Sequence, residues 1–183
     1  RKKILVTGCN GQLGLSLRKL SEEFPCYEFT FTDKHNLDIT DKNALRNSFE
    51  AERFYAVLHF AAYTAVDKAE SEKELCRTIN TEATKTIACL CEEFSAKLIF
   101  ISTDFVFDGS QSMPYLPTDK TNPLSVYGLT KAQGEEAALT YCSESLVIRT
   151  SWLYSEFGNN FVKTMRKLGK EREVLNVVFD QVG

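Results

Sequence analysis

A doubly wound α/β fold on a parallel sheet is predicted by three features of this 183-residue sequence. Short apolar runs without strict polar alternation recur along the chain, as in strands buried on both faces. Amphipathic helical stretches separate them, so successive strands are joined by crossovers. The turn "VTGCNGQLG" (Val6–Gly14) lies between the first apolar run and the first helical stretch, which is where such sheets bind phosphate.

The elements follow in order. "KILV" (Lys3–Val6) reads as a buried strand, and Leu13, Leu17 and Leu20 mark a helix face from Gln12 onward. "YEFTFT" (Tyr27–Thr32) is a second strand that stops at Asp33. Asp41–Glu52 is a helix whose N-cap is Thr40 or Asp41. "AVLHFAA" (Ala56–Ala62) is a third strand, and Glu72–Phe94 is one long helix with Leu75, Ile79, Ile87 and Leu90 inside. "KLIFIS" (Lys97–Ser102) is a fourth strand, followed by a loop rich in Gly, Ser and Pro from Asp108 to Pro123. Helix resumes from Ser125 to about Thr140, "SLVIRT" (Ser145–Thr150) is a fifth strand, Asn160–Leu168 is helical, and "EVLNVVF" (Glu173–Phe179) is a sixth strand.

Composition narrows the function classes. A net charge of −3 with 43% hydrophobic and 26% charged residues is typical of a globular domain and gives no pull towards nucleic acid or anionic membrane. "RKKILVTG" is too short an apolar run for a signal peptide, and no run approaches membrane-spanning length. The six cysteines form no CxxC pair and only His35 and His59 accompany them, so no metal site is expected. Reduced thiols in the cytoplasm are the better reading.

In the glycine-rich turn, Gly8 permits the tight turn, Gly11 lets the backbone approach a pyrophosphate, and Gly14 allows close helix–sheet packing. The spacing is Gly-x-x-Gly-x-x-Gly, which resembles short-chain dehydrogenases/reductases, particularly their extended branch. Asp33, at the end of the second strand, can hydrogen-bond an adenosine ribose or act as a turn residue. Lys34 beside it partly offsets the repulsion of a 2′-phosphate, so both NADPH and NADH stay open. Asp38 and Ile39 can hold an adenine, although Asp38 also reads as a helix-entry residue.

Tyr127 and Lys131 are four apart, so one helical turn places both on the same face. A neighbouring ammonium is expected to lower the phenol's pKa from about 10 and make it a usable proton donor. Thr103, at the carboxyl end of a parallel strand, can hydrogen-bond a carbonyl oxygen as charge builds on it. Asn80, in the long helix, is either a surface polar residue or part of a water site feeding protons to Lys131.

Together the blocks "GCNGQLG", "AAYTAVDKAE", "STDFVFDG", "VYGLTKAQGE", "IRTSWLY", "GNNFVKTM" and "VVFDQVG" resemble the dTDP-4-dehydrorhamnose reductase family over the whole chain, in family order. That resemblance implies NADPH- or NADH-dependent reduction of the 4-keto group of dTDP-4-dehydro-β-L-rhamnose, for bacterial surface polysaccharide. It implies a Rossmann-type NAD(P)-binding domain over residues 1–183 that carries the catalytic residues, with the smaller C-terminal substrate lobe outside this chain. It further implies a cytoplasmic homodimer in full-length form, with Mg2+. Carried over by resemblance, Thr103, Tyr127 and Lys131 form the catalytic set. Gly11, Gln12, Leu13, Asp33, Asp38, Ile39, Ala62, Tyr63, Thr64, Tyr127 and Lys131 match cofactor contacts. Thr103, Asp104 and Trp152 match substrate contacts, and the Trp152 indole can stack on the sugar or serve as a core ring. Phe105 stands where the family usually has Tyr, beside the sugar, and Pro117 where it commonly has Glu. The alternatives are another extended short-chain reductase or epimerase of nucleotide sugars, and a non-catalytic dinucleotide-binding regulatory subunit.

Overall fold

The computed structural model describes residues 1–177. Its sheet has five parallel strands: β1 (Lys2–Thr7), β2 (Tyr27–Phe31), β3 (Ala56–His59), β4 (Lys97–Thr103) and β5 (Ser145–Thr150), in the order β2-β1-β3-β4-β5. The order runs outward in opposite directions from β1 and β3, so the carboxyl ends of these two strands flank the crevice where such sheets bind ligands. The helices are α1 (Gln12–Leu20), α2 (Lys42–Glu52), α3 (Val66–Ala69), α4 (Lys73–Arg77), α5 (Ala83–Glu93), α6 (Val126–Tyr141) and α7 (Phe161–Glu171).

Both sheet faces are covered. On one, Leu5, Val57, Leu98 and Phe100 pack against Leu45 and Phe49 of α2, Ile87 and Leu90 of α5, and Ala138 of α6. On the other, Ile4, Val6 and Ala56 meet Leu17 of α1, with Phe29, Phe31 and Leu58 around them. Each fully buried Leu or Phe contributes about 1.5–3 kcal/mol by leaving water. Asp41 caps α2 by accepting from the backbone N–H of Asn43 and Ala44, and Arg53 ends it in the left-handed conformation with φ 46°.

The predicted long helix over Glu72–Phe94 is interrupted. A π turn at Thr78–Glu82 joins α4 to α5 and turns Asn80 inward, where it is buried. The Asn80 side chain accepts from the Tyr63 N–H at 2.8 Å and donates to the Tyr63 carbonyl at 3.1 Å. A regular helical turn does not offer this inward pairing, which a helical pattern in sequence cannot announce. Leu75, expected inside, is half exposed. The predicted third strand ends at His59, three residues early, because the chain turns there to meet Gly8. The expected sixth strand is not formed over residues 173–177, and its last two residues lie outside the described ones. At the β5 edge, Leu146 and Ile148 are exposed, and α7 buries none of its residues. All six cysteines are free thiols. Among the described residues no helix is long and apolar enough to cross a membrane.

Candidate functional site

The glycine-rich turn forms one side of the crevice. Gly8 has φ +66°, and a Cβ there would lie 2.6 Å from the Ala61 nitrogen, so β1 and the segment after β3 touch through this glycine. A Cβ on Gly14 would lie 2.5 Å from Cys9 backbone atoms, so α1 needs this glycine to pack on the turn. Gly11 differs: its φ is −77°, and a Cβ would meet only the Gly8 carbonyl oxygen, at 3.4 Å. Nothing in the protein itself demands a glycine at position 11. Gly11 is also the N-cap of α1 and supplies no side-chain cap, so the first turn presents its N–H groups and positive dipole end outward.

Around this turn the predicted cofactor residues are partly engaged with the protein. Asp33 accepts from the His35 and Asn36 backbone N–H groups at 2.8 and 3.3 Å, and from the Asn10 side chain. Its carboxyl is held below the usual carboxylate range, mainly by the His35 N–H. Asp38 accepts from both the N–H and the hydroxyl of Thr40, at 2.9 and 2.7 Å, ahead of Asp41, which caps α2. Ile39 is buried in the main core, so only a small part of its surface is free for an adenine. Gln12 accepts from Asn160 at 3.1 Å, and Leu13 beside it is half-buried. Ala62, Tyr63 and Thr64 follow β3, with the Tyr63 hydroxyl donating to Glu72 at 2.5 Å. Beneath them His59 is fully buried between the Thr7 hydroxyl, 2.8 Å from Nδ1, and the Thr84 hydroxyl, 3.1 Å from Nε2. Burial pushes this imidazole down to about 3, so it stays neutral.

The other side is built by β4 and α6. Thr103 ends β4, is 6% exposed, and donates to Asp104 Oδ1 at 3.0 Å while accepting from the Phe105 N–H at 3.2 Å. Ser125 caps α6 by accepting from the Gly128 N–H at 3.0 Å. Tyr127 packs edge-on against Phe105, with ring centroids 5.6 Å apart. Lys131, 2% exposed, donates to the Ile101 carbonyl at 2.6 Å and lies 4.0 Å over the Phe100 ring. Its ammonium is pushed down to about 7 by burial, with Glu135 and Cys76 opposing.

The expected lowering of the Tyr127 phenol by Lys131 is not found. Burial is the main cause, and it raises the phenol above its usual value, with the neighbouring Thr103 hydroxyl opposing. The ammonium spends its interaction on Ile101 and Phe100, and desolvation outweighs what is left. Trp152 is not a core ring: it is 42% exposed, has φ 49°, and meets Phe161 of α7 edge-on at 5.4 Å.

Two residues that position the site went unread in the sequence. A Cβ on Gly128 would lie 2.1 Å from the Phe105 carbonyl oxygen, and one on Gly134 would lie 2.5 Å from the Asn80 carbonyl oxygen. These glycines let α6 sink onto the β4 loop and the π turn. Their signal was available, since each glycine inside a helix costs about 1 kcal/mol and so points to a close approach.

Comparisons with known proteins agree with this arrangement. The family model "RmlD substrate binding domain" matches residues 2–183. A protein of Aggregatibacter actinomycetemcomitans named dTDP-4-dehydrorhamnose reductase is 41% identical over 181 residues, covering 99% of this chain and 62% of that protein. A solved structure of a dTDP-4-dehydrorhamnose reductase from Clostridium acetobutylicum superposes with TM-score 0.95 at 42% identity, covering 99% of this chain and 64% of that one. The Bacillus anthracis enzyme of the same name, solved in complex with NADP, superposes with TM-score 0.88 at 39% identity, covering 94% of this chain and 61% of that one. The chain thus spans a little under two thirds of the length of each of these proteins. With a matching model over nearly every residue, and a parallel sheet that carries the glycine turn beside Thr103, Tyr127 and Lys131, this chain belongs to the RmlD substrate binding domain family.

Proposed function

We propose that this chain is the NAD(P)-binding, catalytic part of a dTDP-4-dehydrorhamnose reductase, with the substrate lobe supplied by the rest of a longer, cytoplasmic, homodimeric protein that uses Mg2+. The observation that carries the proposal is Gly11. A Cβ there would meet only the Gly8 carbonyl oxygen, at 3.4 Å, and its helix N-terminus is uncapped, at the same end of the parallel sheet as Thr103. An uncapped N-terminus fits a pyrophosphate, and relatives of this chain include a reductase solved with NADP.

The residues divide the work. Gln12 and Leu13 would offer backbone N–H groups to the diphosphate, with Gly11, whose own N–H is taken by the Gly8 carbonyl at 3.0 Å, leaving room for it, while Asp33, Asp38 and Ile39 would line the adenosine end. Ala62, Tyr63 and Thr64 continue the floor after β3. When bound, NADPH or NADH supplies the hydride that the 4-keto carbon accepts. Thr103 donates a hydrogen bond to the keto oxygen as negative charge gathers there. Tyr127 gives that oxygen its proton. A phenol raised by burial is a neutral donor at physiological pH, which suits the reductive direction. Lys131, poised near 7, holds the ribose and can pass a proton to the phenol site. Asp104, Phe105 and Trp152 meet the sugar, and Phe105 does so without a hydroxyl.

The test is NADPH and NADH oxidation by the full-length protein with dTDP-4-dehydro-β-L-rhamnose. Tyr127→Phe is expected to lower kcat about 1,000-fold and to leave cofactor affinity within about twofold. Turnover surviving in the phenylalanine variant overturns the assignment.

A further inference from the structure

The mechanism leaves unused a charged pair built into the interior behind the site. Glu135 lies one helical turn beyond Lys131 on α6, so the two share a face, and it is 4% exposed. Arg149 of β5 grips it with a fork: Nε donates to Oε1 at 3.0 Å and Nη2 to Oε2 at 2.6 Å. The remaining arm of the guanidinium, Nη1, donates to the Pro117 carbonyl at 3.2 Å. Its flat face lies 4.9 Å from the Phe107 ring centroid.

Pro117 and Phe107 belong to the loop that runs from Asp104 to Pro123. This loop is organised on itself. Phe107 stacks on Tyr115 with centroids 4.0 Å apart, and Asp108 accepts from the Tyr115 hydroxyl at 3.0 Å and the Asn122 side chain at 2.8 Å. These contacts, and the Asn122 N–H reaching back to the Val106 carbonyl at 2.9 Å, stay within the loop. Arg149 is the fork that ties it to the sheet and to α6.

We propose that Glu135 and Arg149 are the positioning pair of this site, with Glu135 keeping Lys131 charged inside the fold while Arg149 uses the same carboxylate to anchor the loop that carries Asp104 and Phe105. The proposal rests on the reductase reading for its purpose but not for its test. A carboxylate at this place, though shared with Arg149, offsets part of the desolvation of a buried ammonium. Other groups facing Lys131 do not provide a fixed negative charge. Tyr127 on the preceding turn has a raised phenol, His59 under it is neutral, Cys76 of α4 is a buried free thiol, and β4 offers only the Ile101 carbonyl and the Phe100 ring. Arginine suits the task better than lysine, because one planar group serves a carboxylate, a carbonyl and an aromatic face together.

The experiment has two readouts on the unliganded full chain. The first is the titration of Lys131 followed by NMR of its Cε, assigned by the signal lost in Lys131→Arg. Glu135→Gln is expected to move that titration down by about one pH unit. Glu135→Asp, which keeps the charge but draws it back, is expected to move it less. The second readout is amide exchange. Arg149→Lys keeps the charge and loses the fork, and is expected to speed exchange over Asp108–Asn122 at least about tenfold while β4 amides keep their protection. Two results overturn the proposal: a Lys131 titration that follows side-chain volume, with Asp shifting it more than Gln, and loop exchange that does not respond to Arg149→Lys. Failure of the wild-type protein to bind NADPH, measured separately, would remove the reductase reading and leave both readouts standing.

Discussion

The two helices that frame the crevice begin in opposite ways. α1 starts at Gly11, which brings no side chain to its first turn. α6 starts at Ser125, whose hydroxyl takes the Gly128 N–H, while Glu70 takes the Val126 N–H at 2.8 Å. An open first turn leaves donors for an anion, and a largely closed one leaves few. The contribution of α6 therefore comes from side chains, Tyr127 and Lys131, and from how deeply the helix is set. Its depth rests on Gly128 and Gly134, whereas the glycine that matters most in α1, Gly11, has no packing reason at all. Gly128 and Gly134 thus serve the fold, as Gly8 and Gly14 do on the other side, and Gly11 is the one left for a ligand.

The strongest way to break this contrast is to fill the space under α6. Gly134→Ala puts a methyl 2.5 Å from the Asn80 carbonyl oxygen, and is expected to cost about 3 kcal/mol in urea unfolding. Gly169→Ala in α7 is the control: nothing lies within 4 Å of its Cβ position, and it is expected to stabilise by about 0.5–1 kcal/mol. Equal effects at the two positions would show that α6 is not set by close approach.

Next in size is Lys131→Met. The Lys131 ammonium titrates at about 7 in the folded chain against 10.5 when exposed. Between these values the unfolded chain holds more protons, so stability rises with pH across the window and the penalty is complete below it. The methionine variant is expected to be more stable by about 2 kcal/mol at neutral pH and to lose the rise above it, with turnover abolished. Urea midpoints on either side of neutrality check the sign.

The smallest effects sharpen the comparison most directly. Gly11→Ala is expected to leave unfolding within about 1 kcal/mol of wild type but to weaken NADPH binding about tenfold. Ser125→Ala is expected to do the reverse, with about 1 kcal/mol lost and little change in cofactor affinity. Fluorescence titration of NADPH beside thermal melts separates the two.

Much of this arrangement was legible without coordinates. The alternation of apolar runs and helical stretches announces a parallel sheet, because buried strands and crossover helices have different periods. The order of the glycine turn, Thr103, Tyr127 and Lys131 along the chain is the order in which strands deliver them to one end of the sheet. The cap of α2 narrowed in sequence to Thr40 or Asp41, and is Asp41, because a cap acts within three residues. What failed were features set by contacts distant in sequence. The π turn at Thr78–Glu82 exists because Asn80 reaches Tyr63. The short third strand follows from the meeting of Gly8 with Ala61.

The sequence by itself determined that a parallel sheet forms, which turn can face a phosphate, and which hydroxyl, phenol and amine are available for chemistry, since these depend on residue type and local spacing. Only the tertiary structure decided how each group is tuned. The direction of the Tyr127 shift, the near-neutral Lys131 and the reach of Arg149 from Glu135 to Pro117 all depend on how much water is excluded and which partners arrive from other elements. Desolvation and long-range pairing are properties of the packed interior, and no local run of residues carries them.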